Sequence, residues 1–214
     1  MNARKKIRNF IVSLSVLSAL LLSALVASPA VAATSPLSAD EIAGLQFMRE
    51  EEKLARDVYL TLYQEWGLAI FNNIANSEAT HMAAVKTLLD RYGIADPAAG
   101  NAVGVFTNQT LQALYNQLIA QGSQSLSAAL KVGGAIEEID ILDLKERIAS
   151  TTHADIKTVY NNLLNGSYNH LRSFVSTLKT QTGEVYQPQY LDAATYQSII
   201  SGSNGRRGGS GGWR

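Results

Sequence analysis

The stretch IANSEATHMAAVKTLLDRYG, residues 74–93, places an acidic and an imidazole side chain on the apolar face of a predicted helix. Glu78 and His81 are three residues apart, so they share one helix face. Apolar residues recur on that face at helical spacing, which predicts a buried helix over about residues 69–92. Its stripe consists of Phe71, Ile74, Glu78, His81, Val85, Leu88 and Tyr92. Polar groups on such a face need a partner or a metal, because burying them unpaired is costly.

Three further long helices are predicted around this one. Ser38 and Glu41 form a capping box at the start of a helix over about 38–65, and Gly67 ends it. Two more helices are predicted over about 125–149 and 153–180. No segment alternates with the period of two that a strand shows. The pattern predicts an all-α fold, a four-helix bundle in which a long crossover with a short helix over about 108–121 joins the second and third long helices.

Each long helix carries a polar residue on its apolar stripe. The height of each of these residues can be estimated from its distance in sequence to the loop at Gly67 or at Thr152. At ~1.5 Å per residue, all of them lie within about one helical turn of a common level. Carboxylate and imidazole ligands without thiolates suit iron, manganese or zinc. The predicted metal ligands are Glu52, Glu78, His81, Glu137 and His170.

Two short motifs resemble those of rubrerythrin-like proteins in the ferritin-like superfamily: EKLARDVY at 52–59 and EATH at 78–81. Longer stretches, such as MREEEKLARDVYLTLYQEWG at 48–67 and VYNNLLNGSYNHLRSF at 159–174, are similar to a bacterial and archaeal ferritin-like family known as a domain of unknown function. The resemblance covers about residues 40–180. It implies a ferritin-like bundle whose five matched residues bind a di-iron or related centre that reacts with oxygen or peroxide.

One position departs from the superfamily pattern. Ser167 stands where a second Glu-x-x-His motif would place its carboxylate, three residues before His170. The resemblance therefore leaves two alternatives, a site for one metal ion or a second site completed by Asp140 or Glu138.

Neighbouring residues compete for some of the predicted roles. Glu51 lies on a second apolar stripe of the first helix and is the rival of Glu52, and Glu138 is the rival of Glu137. Tyr59 is interpreted as a core residue or as a hydrogen-bond donor to a ligand.

Three other residues lie close to the predicted site or share its chemistry. His153 stands at a predicted helix start and is expected to be exposed rather than to bind metal. Gly133 and Gly166 each lie four residues before a predicted ligand and are interpreted as letting the third and fourth long helices approach closely. The alternative is a local kink or a frayed helix start.

Residues 1–33 are predicted to be a secretory signal, with a basic start, an apolar run over 10–26 and an Ala-rich end. The alternative is an uncleaved membrane anchor, since about 17 apolar residues are near the lower limit for a span. Cleavage would leave a periplasmic, cell-envelope or secreted protein without a stable membrane span. The predicted remainder is a ferritin-like domain over 34–183, a short C-terminal extension over 184–200 and a Gly/Ser-rich disordered tail over 201–214.

Charge and cysteine usage exclude several classes of function. The chain has 18 basic and 18 acidic residues, and cleavage removes four basic residues only, which leaves a formal charge of about −4. That charge argues against nucleic acid as the main partner, because phosphate binding needs a basic surface. The chain has no cysteine, which excludes thiol catalysis, thiolate metal sites and the rubredoxin-type electron donor of full rubrerythrins.

Two functional hypotheses follow. The first is a secreted ferritin-like protein that binds one or two ions of iron or manganese, with oxygen- or peroxide-dependent redox or iron-handling activity. Its partners would be the metal ions and a small-molecule oxidant. The second is a non-catalytic ferritin-like binding or scaffold module at the cell envelope with a degenerate metal site. Ser167 favours the second hypothesis, and the cluster of polar residues at one level favours the first.

Overall fold

The computed structural model of the protein describes residues 36–202, and that part of the chain is all-helical, with six helices and no strand. The predicted all-α class is therefore confirmed, and each predicted helix is present with its ends within two residues of the expected ones. No helix in this range is both long enough and apolar enough to cross a membrane. The predicted signal segment and most of the predicted tail lie outside the described residues. The helices are α1 (Ala39–Trp66), α2 (Ala69–Arg91), α3 (Gln109–Gly122), α4 (Leu126–Ser150), α5 (Ala154–Thr182) and α6 (Ala193–Ser201).

Local signals in the sequence set the ends of α1. The hydroxyl of Ser38 accepts the backbone N–H of Glu41 at 3.2 Å, and the Glu41 carboxylate accepts the backbone N–H of Ser38 at 2.9 Å. This is the predicted capping box. Gly67 ends the helix with φ of 64°, a left-handed conformation that glycine adopts without steric cost.

The four long helices contact one another in the cyclic order α1, α2, α5, α4. Short links join α1 to α2 and α4 to α5, which makes each pair antiparallel neighbours. The connection from α2 to α4 carries α3, which packs against both α1 and α4. Helix α1 consequently has neighbours on most of its circumference.

The apolar core consists of two clusters with a polar layer between them. One cluster includes Leu45, Met48, Leu88 and Leu163, and the other lies towards the opposite ends of the same four helices, where Tyr59 and other residues pack. Along α1, α2 and α5 the polar residues predicted as ligands fall between members of the two clusters, whereas on α4 Glu137 lies between Ile136 and Ile141 of one cluster. The fold thus brings these residues into the interior at one level.

Two buried carboxylates hold the connecting segments on the helices. The Glu50 carboxylate accepts the backbone N–H groups of Thr107 and Asn108 at 2.6 and 2.9 Å, at the start of α3. The Glu138 carboxylate accepts three successive backbone N–H groups of residues 189–191 at 2.6–2.9 Å. The segment after Gly183 is therefore fastened to α4, and its Tyr186 contributes to the core.

Candidate metal centre

The structure brings all five predicted ligands together in the polar layer. Ligand atoms of Glu52, Glu78 and His81 lie within 4.8 Å of one another, and so do those of Glu78, Glu137 and His170. Glu78 belongs to both triads. The three carboxylates are at most 2% exposed, so the centre lies inside the protein and not on its surface.

His81 faces two carboxylates through one ring nitrogen. Its Nδ1 lies 2.7 Å from Oε2 of Glu78 and 3.2 Å from Oε2 of Glu52. Glu78 is on the same helix one turn earlier, whereas Glu52 reaches the ring from α1. The first triad therefore joins α1 to α2.

His170 faces Glu78 from the other side. Its Nδ1 lies 2.8 Å from Oε1 of Glu78 and 3.4 Å from Oε2 of Glu137. Its Nε2 lies 3.0 Å from Oγ of Ser77, a partner that the sequence analysis did not identify. The rings of His81 and His170 stack with centroids 5.5 Å apart. The second triad joins α2, α4 and α5, so the two triads together involve all four long helices.

Glu78 and the two imidazoles shift one another's pKa values in opposite directions. Burial alone would raise the pKa of Glu78, but His170 and His81 outweigh burial and lower it to about 2. Burial alone would lower the pKa of His81, but Glu52 and Glu78 raise it to about 11. The pKa of His170 rises to about 10 against the effect of burial, because Glu137 and Glu78 favour its charged form. In the metal-free protein, imidazolium–carboxylate pairs therefore hold the centre together.

The remaining carboxylates of the layer favour protonation. Burial raises the pKa of Glu52 well above its usual range, and the charge of Asp140 adds to this. Burial also raises the pKa of Glu137. Burial and the charge of Glu137 raise the pKa of Asp140 to about 8. These shifts indicate more negative charge in the layer than the two imidazoles neutralise.

Tyr59 is a hydrogen-bond donor to a predicted ligand. Its hydroxyl lies 2.6 Å from Oε1 of Glu137, and the side chain is fully buried. Its ring also packs against Phe174, so it serves in both of the roles considered for it.

Ser167 does not leave a gap where a carboxylate was expected. Its hydroxyl is hydrogen-bonded to Oδ2 of Asp140 and to the carbonyl of Leu163, and Asp140 is 6% exposed. Of the two residues considered as replacements, Asp140 therefore lies in the polar layer. Glu138 points to the C-terminal segment, where its Oε2 accepts backbone N–H groups, and so its predicted rivalry with Glu137 is wrong.

His153 was expected to be exposed, and this is wrong. Its side chain is only 9% exposed, and its Nδ1 lies 2.7 Å from Oε1 of Glu41. Glu41 also accepts the hydroxyl of Thr151 at 2.6 Å, so a polar cluster joins the start of α1 to the α4–α5 turn. His153 belongs to neither triad.

Gly133 and Gly166 each leave space that a ring from another helix fills. A Cβ at Gly133 would lie 2.4 Å from the Phe174 ring of α5, which fits a close approach of α4 and α5. A Cβ at Gly166 would lie 2.6 Å from the His81 ring, which comes from α2. The interpretation that Gly166 lets α4 approach is corrected, because His81 occupies that space.

Gly166→Ala is expected to displace the His81 ring and to weaken metal binding. Alanine favours a helix over glycine by about 0.5–1 kcal/mol, so the change does not weaken α5 itself. Metal content and affinity should fall, whereas the exposed neighbour Asn165→Ala should leave both unchanged. Elemental analysis and calorimetric titration measure these quantities. Wild-type affinity in Gly166→Ala would show that the contact with His81 is unimportant.

Comparison with known proteins gives relatives over most of the chain. The family model described as an uncharacterised protein domain, DUF2202, matches residues 41–203. The uncharacterised protein MJ0754 of Methanocaldococcus jannaschii is 53% identical over 171 residues, which is 80% of this chain and 92% of the relative. The crystal structure of hypothetical protein MJ0754 from Methanococcus jannaschii superimposes with a TM-score of 0.78 at 52% identity, covering 80% of this chain and 98% of that one.

Proposed function

The chain belongs to the DUF2202 family, and we propose that it is a ferritin-like four-helix-bundle protein that binds two ions of iron or manganese. Glu52, Glu78 and His81 would hold one ion, and Glu78, Glu137 and His170 the other. The observation that carries the proposal is that Glu78 belongs to both triads and turns one oxygen towards each imidazole, so each oxygen could hold one ion. The single Glu on α1, the single Glu on α4 and the Glu-x-x-His on α2 follow the di-metal carboxylate pattern of ferritin-like bundles.

The buried ligand atoms support the fit of a cation. Oε1 of Glu52 is buried and has no hydrogen-bond partner among the described residues. Oε1 of Glu78 and Nδ1 of His170 lie 2.8 Å apart as an ion pair, and a cation between them would take the place of the imidazolium proton. An unsatisfied buried oxygen is costly, and a coordinated cation would satisfy that of Glu52.

Charge balance supports the same conclusion. The polar layer contains the buried carboxylates of Glu52, Glu78, Glu137 and Asp140 but only two imidazoles. A metal ligand must be deprotonated, so binding divalent ions would displace the imidazolium protons and those on the carboxylates with raised pKa values. Oxygen and imidazole ligands without thiolate suit iron and manganese.

The substitution at Ser167 removes no member of either triad. It removes one carboxylate from α5, and Asp140 of α4, held by the Ser167 hydroxyl, supplies a carboxylate beside the same position. We therefore propose two ions rather than one, with Asp140 as the additional carboxylate at the centre.

The protein's own residues would orient the ligands and control access. Tyr59 holds Glu137, and Ser77 accepts the Nε2–H of His170 when Nδ1 is the ligand atom, a support that metal-binding histidines usually have. The side chains of His81 and His170 are 12% and 11% exposed, so the imidazoles are the ligands nearest to solvent and a small molecule would approach the centre from their side. Iron or manganese, when bound, would supply redox chemistry towards a small oxidant such as oxygen or peroxide.

Metal analysis of protein purified without chelators tests the proposal. We expect stoichiometric iron or manganese in the wild-type protein and substantially less in His81→Gln. The matched control is His153→Gln, because His153 is also largely buried beside a carboxylate but belongs to neither triad. Absence of bound transition metal in the wild type, or equal losses in the two variants, would favour the non-catalytic scaffold instead.

A further inference from the structure

A cleft lies beside the last turns of α4, where that helix packs on α1 and faces the connection that leads into α3. Its volume is about 490 Å³, within the range of about 300–1,000 Å³ that small-molecule sites have. The side chains of Ala43, Phe47 and Pro97 give it an apolar part, and Arg147 is the one cation among the lining residues that the structure describes. The cleft is therefore large enough for a small organic molecule and contains a positive group to hold it.

The guanidinium of Arg147 lacks an acceptor for its N–H groups in the part of the chain that the structure describes. It makes no hydrogen bond and no ion pair there, and its Nε is buried without a partner. A buried N–H donor without an acceptor is costly, and in a native protein it calls for an explanation. An oxygen atom of a bound molecule would supply the acceptor.

Two residues of α1 fix the position of this guanidinium. Its central carbon lies over the Phe47 ring, 4.7 Å from the ring centre. A Cβ at Gly44 would lie 2.9 Å from Nη1 of Arg147, so the missing side chain of Gly44 leaves room for the guanidinium against α1. An arginine stacked on an aromatic ring still presents its N–H groups as a planar fork at the edge of the guanidinium. The donors are therefore held in a fixed arrangement before any molecule binds.

We propose that this cleft binds a small carboxylic acid, whose carboxylate accepts hydrogen bonds from Arg147 and whose apolar body packs on the apolar lining. The fork of a guanidinium matches a carboxylate, and such charge-assisted pairs are short and strong. A monoanion suits the cleft better than phosphate does, because one cation lines it together with the carboxylate of Glu50. Glu50 accepts the two backbone N–H groups at the start of α3, so it does not occupy Arg147.

The proposed acid site is independent of the metal centre. Arg147 lies ten residues after Glu137, which corresponds to ~15 Å along α4 at ~1.5 Å per residue. The residues that line the cleft include no member of either triad. Failure of one proposal therefore leaves the other unaffected.

Calorimetric titration with benzoate and with hexanoate tests the proposal, because these acids combine a carboxylate with a ring or with a chain. We expect saturable binding of at least one of them, and no binding of benzamide, which has the shape of benzoate without its charge. Arg147→Gln should weaken binding by at least about tenfold, because it removes hydrogen bonds between charged groups. Lys145→Gln removes an exposed cation of the same helix and is the matched control, which should bind as the wild type does.

Gly44→Ala separates a fixed guanidinium from a general effect of charge. It keeps every charge and adds a methyl group against Nη1, so it should also weaken binding of the acid. It serves as the test if Arg147→Gln does not fold, because alanine favours a helix over glycine. Absence of saturable binding of both acids, wild-type affinity in Arg147→Gln and Gly44→Ala, or tighter binding of inorganic phosphate than of either acid would overturn the proposal.

Discussion

Glu78→Gln is expected to abolish metal binding at both triads at once. Glu78 lies beside both imidazoles, at 2.7 Å from His81 and 2.8 Å from His170. Replacing its carboxylate by a neutral amide would remove a ligand from each proposed ion and would keep nearly the same side-chain shape. Affinity at both positions should fall by more than the about 10–100-fold that follows the loss of a supporting residue.

Glu78→Gln can also be tested in protein without metal, through the pKa values of the two histidines. In the wild-type apoprotein Glu78 contributes to raising the pKa values of His81 and His170 to about 11 and 10. Glu78→Gln should lower both pKa values, which NMR titration of the imidazoles measures. Glu146→Gln, at an exposed carboxylate of α4, is the control for both readouts. Undiminished metal content and unchanged histidine pKa values in Glu78→Gln would contradict the arrangement described.

Asp57→Ala is expected to cause the largest loss of stability outside the metal centre. Asp57 is fully buried and accepts hydrogen bonds from Lys53, from Arg56 at 2.7 Å and from the backbone N–H of Gly104 at 2.9 Å. Lys53 is 1% exposed and would lose its carboxylate partner. Removing one member of a buried ion pair costs about 3–5 kcal/mol, so the free energy of unfolding should fall by that amount.

The chain offers a matched control for this prediction. Lys86 and Asp90 have the same spacing on α2, but their side chains are 47% and 61% exposed. Exposed helical pairs of this kind contribute about 0.3–0.5 kcal/mol, so Asp90→Ala should cost little. Urea unfolding of both variants in chelator-treated protein measures the difference. Equal losses in the two variants would show that the buried pair does not fasten the crossover segment to α1.

Helix positions were predictable because short-range signals determine them. The Ser38–Glu41 capping box and the glycine at 67 act within one turn, and their effect does not depend on the rest of the fold. The five predicted ligands were identifiable for a related reason. Each interrupts an apolar stripe at helical spacing, and the stripe indicates which face of its helix is buried.

Burial around α1 was not predictable from periodicity. Glu50, Glu51, Glu52 and Lys53 are consecutive and all buried, whereas a periodic pattern assigns one face to the core. The reason is that α1 contacts α2, α3 and α4, so most of its circumference is covered. Whether a second or third face is covered depends on contacts distant in sequence.

Two residues were misjudged because their partners come from elsewhere in the chain. Glu138 looked like an alternative ligand, but it accepts the backbone N–H groups of residues 189–191. His153 looked exposed at a helix start, but it meets Glu41 from a helix that begins more than 100 residues earlier. In both cases the decisive contact is a tertiary one that no local pattern indicates.

The central claim is that Glu78 bridges two metal ions, and anomalous X-ray diffraction from crystals grown with iron or manganese tests it most directly. We predict two anomalous peaks in the space between the four long helices. One peak should lie beside Glu52 and His81 and the other beside Glu137 and His170, with Glu78 between them. No peak beside Glu78 in crystals containing the metal, or peaks confined to the protein surface, would contradict the claim.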